Sequence, residues 1–176
     1  MKRLILMRHS KTEPWGEGID DFGRALTDRG KEDARRMAEE LVALGWSPER
    51  ILVSTARRAR ETCSEVARII EGEKVRPMES LYLSGVRGLT DAVTQNDGAG
   101  TLMVIGHNPG LHDFGLDLLR LGGSQEHQQS IRLVEKFPTS CCALFEAARD
   151  GVFIPAEYSL AGVLRVKDFR EASTTQ

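Results

Sequence analysis

The chain has 176 residues, 40% of them hydrophobic and 28% charged, and this balance predicts one globular domain with a substantial core. Its 24 basic and 26 acidic residues give a formal charge of −2, so no global field favours a nucleic acid or an anionic membrane as a partner. No apolar run approaches the roughly 20 residues of a membrane-spanning helix, and the first apolar run ends at Arg8, too early for a secretory signal.

Three short apolar runs predict buried parallel strands, because a strand covered on both faces is apolar throughout. They are residues 4–7, 51–53 and 102–105. Two later runs, 140–145 and 162–166, predict closing strands that run antiparallel to the others.

Helical patterns follow the first three strands, with apolar residues repeating at the helical period. They predict helices from an N-cap at Thr27 to Leu44, from Ala56 to Ile70, from Gly88 to Thr94, and onward from Pro109. For the polar segment 122–137, a helix and a long loop both remain open.

This alternation predicts a single domain over residues 1–170, a three-layer α/β/α sandwich with a mostly parallel central sheet and helices on both faces. Residues 171–176 carry nothing to bury and are expected to form a loose tail.

The cysteines Cys63, Cys141 and Cys142 are odd in number, and two of them are adjacent, which disfavours a disulfide framework. Each falls inside a predicted helix or strand, where a small buried hydrophobe is the expected role. A reducing, cytoplasmic location follows as an expectation.

Charged and polar residues follow each predicted parallel strand at its carboxyl end. They are Arg8-His9-Ser10, the segment Ser54-Thr55-Ala56-Arg57-Arg58, and Gly106-His107-Asn108. Because the carboxyl ends of parallel strands meet at one edge of a sheet, we expect two histidines and several arginines to converge there.

This combination of residue types predicts a site for a phosphoryl group. Arginine binds phosphate oxygens through two parallel hydrogen bonds and keeps its charge, so Arg8 and Arg58 are expected to hold the group. An imidazole between such cations stays neutral, and its free nitrogen is a competent nucleophile toward phosphorus. A metal site built from His107, His112 and Asp113 is disfavoured, because helical metal ligands prefer i, i+4 spacing.

A family resemblance runs in order through residues 3–146. Arg8-His9-Ser10 resembles the Arg-His-Gly signature of the histidine phosphatase (phosphoglycerate-mutase-like) superfamily, and the chain is similar to its small bacterial phosphohistidine phosphatases of the SixA type. The other matching segments are 20–30, 52–54, 58–62, 79–82, 104–110 and 138–140.

The resemblance implies the histidine-phosphatase fold without a cap domain, and a phosphatase that needs neither cofactor nor metal. His9 would be the nucleophile, with Arg8, Arg58 and His107 around the phosphate. The substrate would be a phosphorylated histidine-containing protein, and phosphate would be the product. The residues expected to border the substrate are Ser10, Lys11, Arg24, Arg57 and Asn108, and Glu79 is the possible proton donor.

Two departures from the family pattern bear on the substrate. Ser10 replaces the signature glycine, and Glu79 matches the family's acid position poorly. Phosphohistidine needs little acid assistance whereas an ester does, so a phosphoramidate substrate is favoured. A small-molecule phosphomonoesterase acting on a sugar phosphate or a nucleotide, and a phosphate-binding module without turnover, remain the alternatives.

Overall fold

The computed structural model describes residues 1–14, 16, 18, 20–72 and 74–172. The strands are β1 (Arg3–Arg8), β2 (Arg50–Ser54), β3 (Lys74–Met78), β4 (Thr101–Gly106), β5 (Cys142–Ala147) and β6 (Tyr158–Leu164). The helices are α1 (Asp28–Ala43), α2 (Arg57–Val66), α3 (Val86–Thr94), α4 (Gly110–Gly122), α5 (His127–Glu135) and α6 (Val166–Ala172), with 3-10 turns at Glu79–Leu81 and Pro155–Glu157.

The strands form one sheet in the order β3-β2-β4-β1-β5-β6. β3, β2, β4 and β1 are parallel to one another, whereas β5 runs antiparallel to both β1 and β6. The carboxyl ends of β1, β2 and β4 therefore lie together at one edge, where parallel α/β sheets place their ligands.

Side chains of alternating residues along the buried strands enter two separate cores, one on each face of the sheet. Ile5 and Met7 pack with residues of α1 and α2, and Leu4 and Leu6 pack with residues of α3, α4 and α5. The predicted three-layer sandwich is confirmed, and no cap domain is evident among the described residues.

The start of α1 is fixed by its side-chain cap. Thr27 accepts a hydrogen bond from the Gly30 amide at its Oγ1 (2.9 Å), as expected of an N-cap threonine. A Cβ at Gly30 would lie 2.1 Å from the carbonyl oxygen of Lys11, so only glycine permits this close approach. Helix α1 is thereby anchored against the loop that follows β1.

Several predicted boundaries were wrong. Helix α2 ends at Val66 rather than Ile70, and α3 begins two residues earlier than predicted. Strand β5 begins only at Cys142, because Ser140 has a positive φ of 59° that an extended strand cannot contain. Strand β6 ends at Leu164, and the next helix begins at Val166.

Three segments contain secondary structure that was not predicted. Strand β3 had no counterpart among the predicted strands, and the ambiguous segment 122–137 contains α5. Helix α6 includes residues 171 and 172, which were assigned to the loose tail, while residues 173–176 lie outside the described residues.

Candidate active site

The residues that follow β1 and β4 meet at the carboxyl edge of the sheet. The His9 amide donates a hydrogen bond to the Gly106 carbonyl (3.1 Å), so the two chain segments leave the sheet side by side. The ring centroids of His9 and His107 are 5.2 Å apart, with the ring planes inclined at 53°. The expected convergence of the two histidines is therefore present in the fold.

His9 is held in one tautomer. Its Nδ1 lies 2.9 Å from the carbonyl oxygen of Ser10, and a carbonyl only accepts, so Nδ1 donates and carries the proton. The lone pair of the neutral ring is then on Nε2. Burial, followed by the charges of His107, Arg58 and Arg8, lowers the pKa of His9 to about 3, although the Ser10 carbonyl opposes the shift.

His107 is buried against the end of β2. Its Nε2 lies 2.8 Å from the Ser54 hydroxyl, and its Nδ1 has no hydrogen-bond partner among the described residues. Burial and the neighbouring Arg58 lower the pKa of His107 to about 4, and Arg8 adds to the effect while Asp21 opposes it. If the Ser54 hydroxyl donates to Nε2, Nδ1 carries the proton and can donate to a ligand oxygen.

Arg58, on the first turn of α2, is only 3% exposed. Its two terminal nitrogens donate to Asp21, one to the backbone carbonyl and the other to Oδ2 (2.9 Å). The Arg58 guanidinium also lies over the ring of Tyr82, 5.9 Å from its centroid. A loop carboxylate and an aromatic ring thus fix the orientation of this cation.

Tyr82 joins the same network from the far end of β3. Its hydroxyl donates to Asp21 Oδ2 (3.0 Å), and its ring makes edge-to-face contacts with His107 and Phe22 at 5.5 and 5.1 Å between centroids. Burial alone would raise the pKa of Asp21, but hydrogen bonds from Tyr82 and Arg58 outweigh it and lower the pKa. Asp21 is therefore ionised at neutral pH.

Arg8 and Asn108, the chain neighbours of His9 and His107, share one backbone acceptor. Both donate to the carbonyl oxygen of Phe137, Arg8 through Nη1 (3.1 Å) and Asn108 through Nδ2 (2.9 Å). Burial lowers the pKa of Arg8, yet an arginine remains charged at neutral pH. Arg8 Nε and Asn108 Oδ1 are buried without a hydrogen-bond partner among the described residues, as is Thr55 Oγ1.

The unpartnered polar atoms indicate what the site is built to hold. Buried donors and acceptors are almost always hydrogen-bonded in folded proteins, so a group of exceptions at one sheet edge marks a ligand site. The donors among them, together with two arginines, favour an anion.

The other predicted substrate-binding residues divide into two sets. Ser10 is fully buried next to His9, where its hydroxyl accepts from Ser140 (2.7 Å) and its amide donates to Thr62 (3.0 Å), so its contacts are structural. Arg24 contacts the site indirectly, since it donates to Asp21 Oδ1 (3.3 Å) and to Thr12.

The structure does not bring Lys11, Arg57 or Glu79 to the histidine pair. The Lys11 side chain lines a neighbouring cleft, described below. Arg57 is exposed and pairs with Glu61 at 2.7 Å, one turn along α2. Glu79 is exposed on its 3-10 turn, and its carboxylate makes no hydrogen bond or ion pair with the described residues.

Sequence reasoning missed Asp21, Tyr82 and Ser54 as functional residues. Ser54 carried a usable signal, because it is the polar residue that ends a buried strand at the ligand edge. Asp21 lay within the matching segment 20–30, but nothing local linked it to Arg58, since their contact spans 37 positions and depends on how the intervening α1 and β2 fold.

Among the residues that the structure describes, no group of three or more histidine, cysteine or acidic side chains is placed to bind a metal ion. All three cysteines are buried. No described helix is both long and apolar enough to cross a membrane.

The chain is similar in sequence to members of a known family and to other proteins. The family model described as histidine phosphatase superfamily (branch 1) matches residues 4–82. A protein of Mycobacterium tuberculosis is 32% identical over 143 residues, which are 81% of this chain and 87% of that one. A chloroplast protein of Arabidopsis thaliana is 34% identical over 121 residues, and the match spans only 55% of its length.

A solved structure extends the likeness over nearly the whole chain. It is the crystal structure of a protein assigned as the phosphohistidine phosphatase SixA of Agrobacterium tumefaciens, with a TM-score of 0.78 and 25% identity. The superposition covers 93% of this chain and 97% of that one.

Proposed function

The chain belongs to the histidine phosphatase superfamily and is of the SixA type, and we propose that it removes phosphate from phosphohistidine on a protein. The observation that carries the proposal is the fixed tautomer of His9. Its Nδ1 proton is bound to the Ser10 carbonyl, so the lone pair on Nε2 is available beside two guanidinium groups.

The first step is transfer of the phosphoryl group to His9. Nε2 attacks phosphorus, an N–P bond forms, and the bond between phosphorus and the substrate imidazole breaks. Because burial and the nearby cations keep the pKa of His9 at about 3, the ring is neutral and nucleophilic across the physiological range.

The charge that develops on the phosphoryl oxygens is stabilised by fixed groups. Arg8 and Arg58 are held in place before the substrate binds, by the Phe137 carbonyl and by Asp21 respectively. With Ser54 donating to its Nε2, His107 would supply a further donor at Nδ1, which has no competing partner among the described residues. Such preorganised donors usually make the largest contribution to transition-state stabilisation, and they supply the positive charge without a metal.

The second step is hydrolysis of phospho-His9. Nδ1 keeps its proton, which is hydrogen-bonded to the Ser10 carbonyl. The phosphorylated ring is therefore a cation, and it leaves phosphorus readily as a neutral imidazole. Water attacks phosphorus, the N–P bond breaks, and the electron pair returns to Nε2. The phosphate that leaves carries the oxygen and both protons of the water.

The acidic groups near the site support a phosphoramidate rather than an ester as substrate. An alcohol leaves readily only if an acid protonates it, whereas an imidazole is protonated by solvent. Asp21 is the carboxylate in this network, and its lowered pKa makes it a poor proton donor at neutral pH. The Glu79 side chain is exposed, and its carboxylate makes no hydrogen bond or ion pair with a described residue.

Rapid quench with a ³²P-labelled phosphohistidine peptide tests the proposal. We expect transient label on the protein that is lost in acid and stable in base, and none in His9→Ala. His127→Asn is the matched control, because His127 is exposed at the start of α5. Label that persists in His9→Ala would overturn the assignment of the nucleophile.

A substrate panel tests the leaving group. We expect the phosphohistidine peptide to be hydrolysed with a much higher kcat/KM than a sugar phosphate, a nucleoside monophosphate or p-nitrophenyl phosphate. Faster turnover of any of these esters would make the enzyme a small-molecule phosphomonoesterase. Tight vanadate binding with no turnover of any substrate would make it a phosphate-binding module.

A further inference from the structure

A second cavity lies beside the candidate active site, and basic side chains dominate its lining. It has a volume of about 300 Å³, and we call it the basic cleft. Its charged lining consists of five cations and one carboxylate: Lys11, Arg29, Lys136, Arg165, Lys167 and Asp33.

Most of this positive charge is not neutralised within the chain. Lys11, Lys136 and Lys167 are exposed, and none of them forms an ion pair with any residue that the structure describes. Arg29 reaches Asp33 only at the limit of an ion pair, 4.0 Å. The cleft therefore carries an excess of cations that an anionic partner would complement.

Arg165 adds a buried cation to the cleft. It is only 4% exposed, and its Nε has no hydrogen-bond partner among the described residues. Its guanidinium donates to the Arg132 and Lys136 carbonyls at the end of α5 and lies 3.7 Å from the exposed Glu135. A buried guanidinium with a donor to spare is the kind of group that an acceptor on a partner satisfies.

The cleft and the active site share a wall. Pro138 and Thr139 line the cleft, while the neighbouring Phe137 carbonyl holds Arg8 and the Ser140 hydroxyl donates to Ser10. From the other side, Lys11 follows the nucleophile by two positions. A substrate with its phosphoryl group at His9 would therefore extend past residues 137–140 to reach the lysines.

From these contacts we infer that the basic cleft binds carboxylate side chains of the phosphoprotein substrate, next to its phosphohistidine. The inference rests on the proposed function, and it specifies that the substrate protein has an acidic surface beside its phosphohistidine. Lysines at an open rim attract an acidic surface over a distance, before contact is made. They therefore affect the association of the substrate rather than the rate of the chemical step.

Two phosphohistidine peptides of equal length test the inference, one with glutamates and one with glutamines around the central residue. We expect the wild-type enzyme to favour the glutamate peptide by roughly tenfold in kcat/KM at low salt, because its KM for that peptide is lower. The preference should decrease as salt is added. Lys136→Glu/Lys167→Glu should lose the preference, while kcat on the glutamine peptide stays unchanged.

The control is Lys74→Glu/Arg149→Glu, which makes the same change in net charge. These two residues are exposed at the opposite edge of the sheet, at the start of β3 and after the end of β5. We expect the control to keep the glutamate preference. Thermal unfolding of both double variants, and of Lys136→Gln/Lys167→Gln, verifies that they fold.

Each other outcome contradicts the inference in a recognisable way. A preference retained in the cleft variant, or lost equally in the control, shows that the cleft does not recognise the substrate. A fall in kcat on both peptides would place the lysines in the chemical step. If the wild-type enzyme hydrolyses neither peptide, the proposed function itself fails and the inference fails with it.

Discussion

The parallel strands of the central sheet begin at one edge, the amino edge, and end at the other, the carboxyl edge. The two edges differ in whether their buried polar groups are hydrogen-bonded. At the amino edge, the buried Tyr158 hydroxyl donates to the Met1 carbonyl (2.6 Å) and the Asn96 amide donates to the Ala92 carbonyl (2.8 Å). At the carboxyl edge, Arg8, His107 and Asn108 each keep a buried polar atom that no described residue satisfies.

This difference separates stability from function within one sheet. Paired polar groups at the amino edge leave no unmet hydrogen bond between those partners, and each pair can be expected to contribute to the free energy of unfolding. Unpaired donors and neutral buried histidines at the carboxyl edge cost stability in the free protein, and a bound anion would compensate for it. Substitutions at the two edges should therefore affect different measurements.

The largest expected effect is at Arg58. Arg58→Ala should lower kcat/KM on a phosphohistidine peptide by roughly 10²–10³-fold, because a preorganised cation is lost from the transition state. The adjacent Arg57→Ala is the matched control and should lose far less, since Arg57 is exposed and paired with Glu61. Equal losses would mean that both arginines reach the phosphate and that the pairing of Arg57 gives way on binding.

The choice between Arg57 and Arg58 shows how much of the site could be predicted from the sequence. The family pattern selected Arg58 over Arg57, and the structure buries Arg58 beside His107. The resemblance included Asp21 in segment 20–30 without giving it a role, although its carboxylate orients Arg58. Asp21 lies in a loop without regular structure, and local sequence gives no rule that brings it to α2.

The strands and helices likewise could be predicted where the local sequence pattern is strong, and not where it is weak. Strands β1, β2 and β4 were predictable because they are buried on both faces and almost continuously apolar. Strand β3 was not, because it is an exposed edge strand with two basic residues and Pro77. Helix α5 gave an ambiguous pattern because only Leu133 is fully buried along it.

A substitution at the amino edge should change stability alone. Tyr158→Phe removes the hydroxyl that donates to the Met1 carbonyl, and an acceptor left unpaired in a buried position costs about 1–3 kcal/mol. We expect the free energy of unfolding in urea to fall by that amount while kcat/KM stays at the wild-type value. A parallel loss of activity would show that the two edges are coupled through the sheet.

Acid should reveal the cost of keeping His9 and His107 neutral. Histidine has an ordinary pKa of 6.5, which burial lowers to about 3 and about 4 here, so protons bind the unfolded chain in preference to the folded one. The contribution of each ring is fully present above pH 6.5 and is lost as pH falls toward its lowered pKa.

Urea denaturation at pH 7 and pH 5 measures this loss. Each ring should account for up to about 2 kcal/mol of the decrease, the product of the pH interval below 6.5 and about 1.4 kcal/mol per pH unit. His9→Gln should therefore lose less stability than the wild-type protein over this interval. The exposed His127→Gln should behave like the wild-type protein, and a smaller loss in that variant instead would place the titrating group outside the site.

The smallest effect is expected at Asp21. Asp21→Asn keeps an oxygen facing Arg58 and Tyr82 but removes the charge, so kcat/KM should fall by roughly threefold to tenfold, the effect of about 1 kcal/mol in positioning the guanidinium. Glu79→Gln is the comparison, because Glu79 is the acid that the family resemblance offered. Its carboxylate makes no hydrogen bond or ion pair with a described residue, so its removal should change kcat/KM less. A larger loss in Glu79→Gln than in Asp21→Asn would assign the functional carboxylate to the 3-10 turn and leave Asp21 with a structural role only.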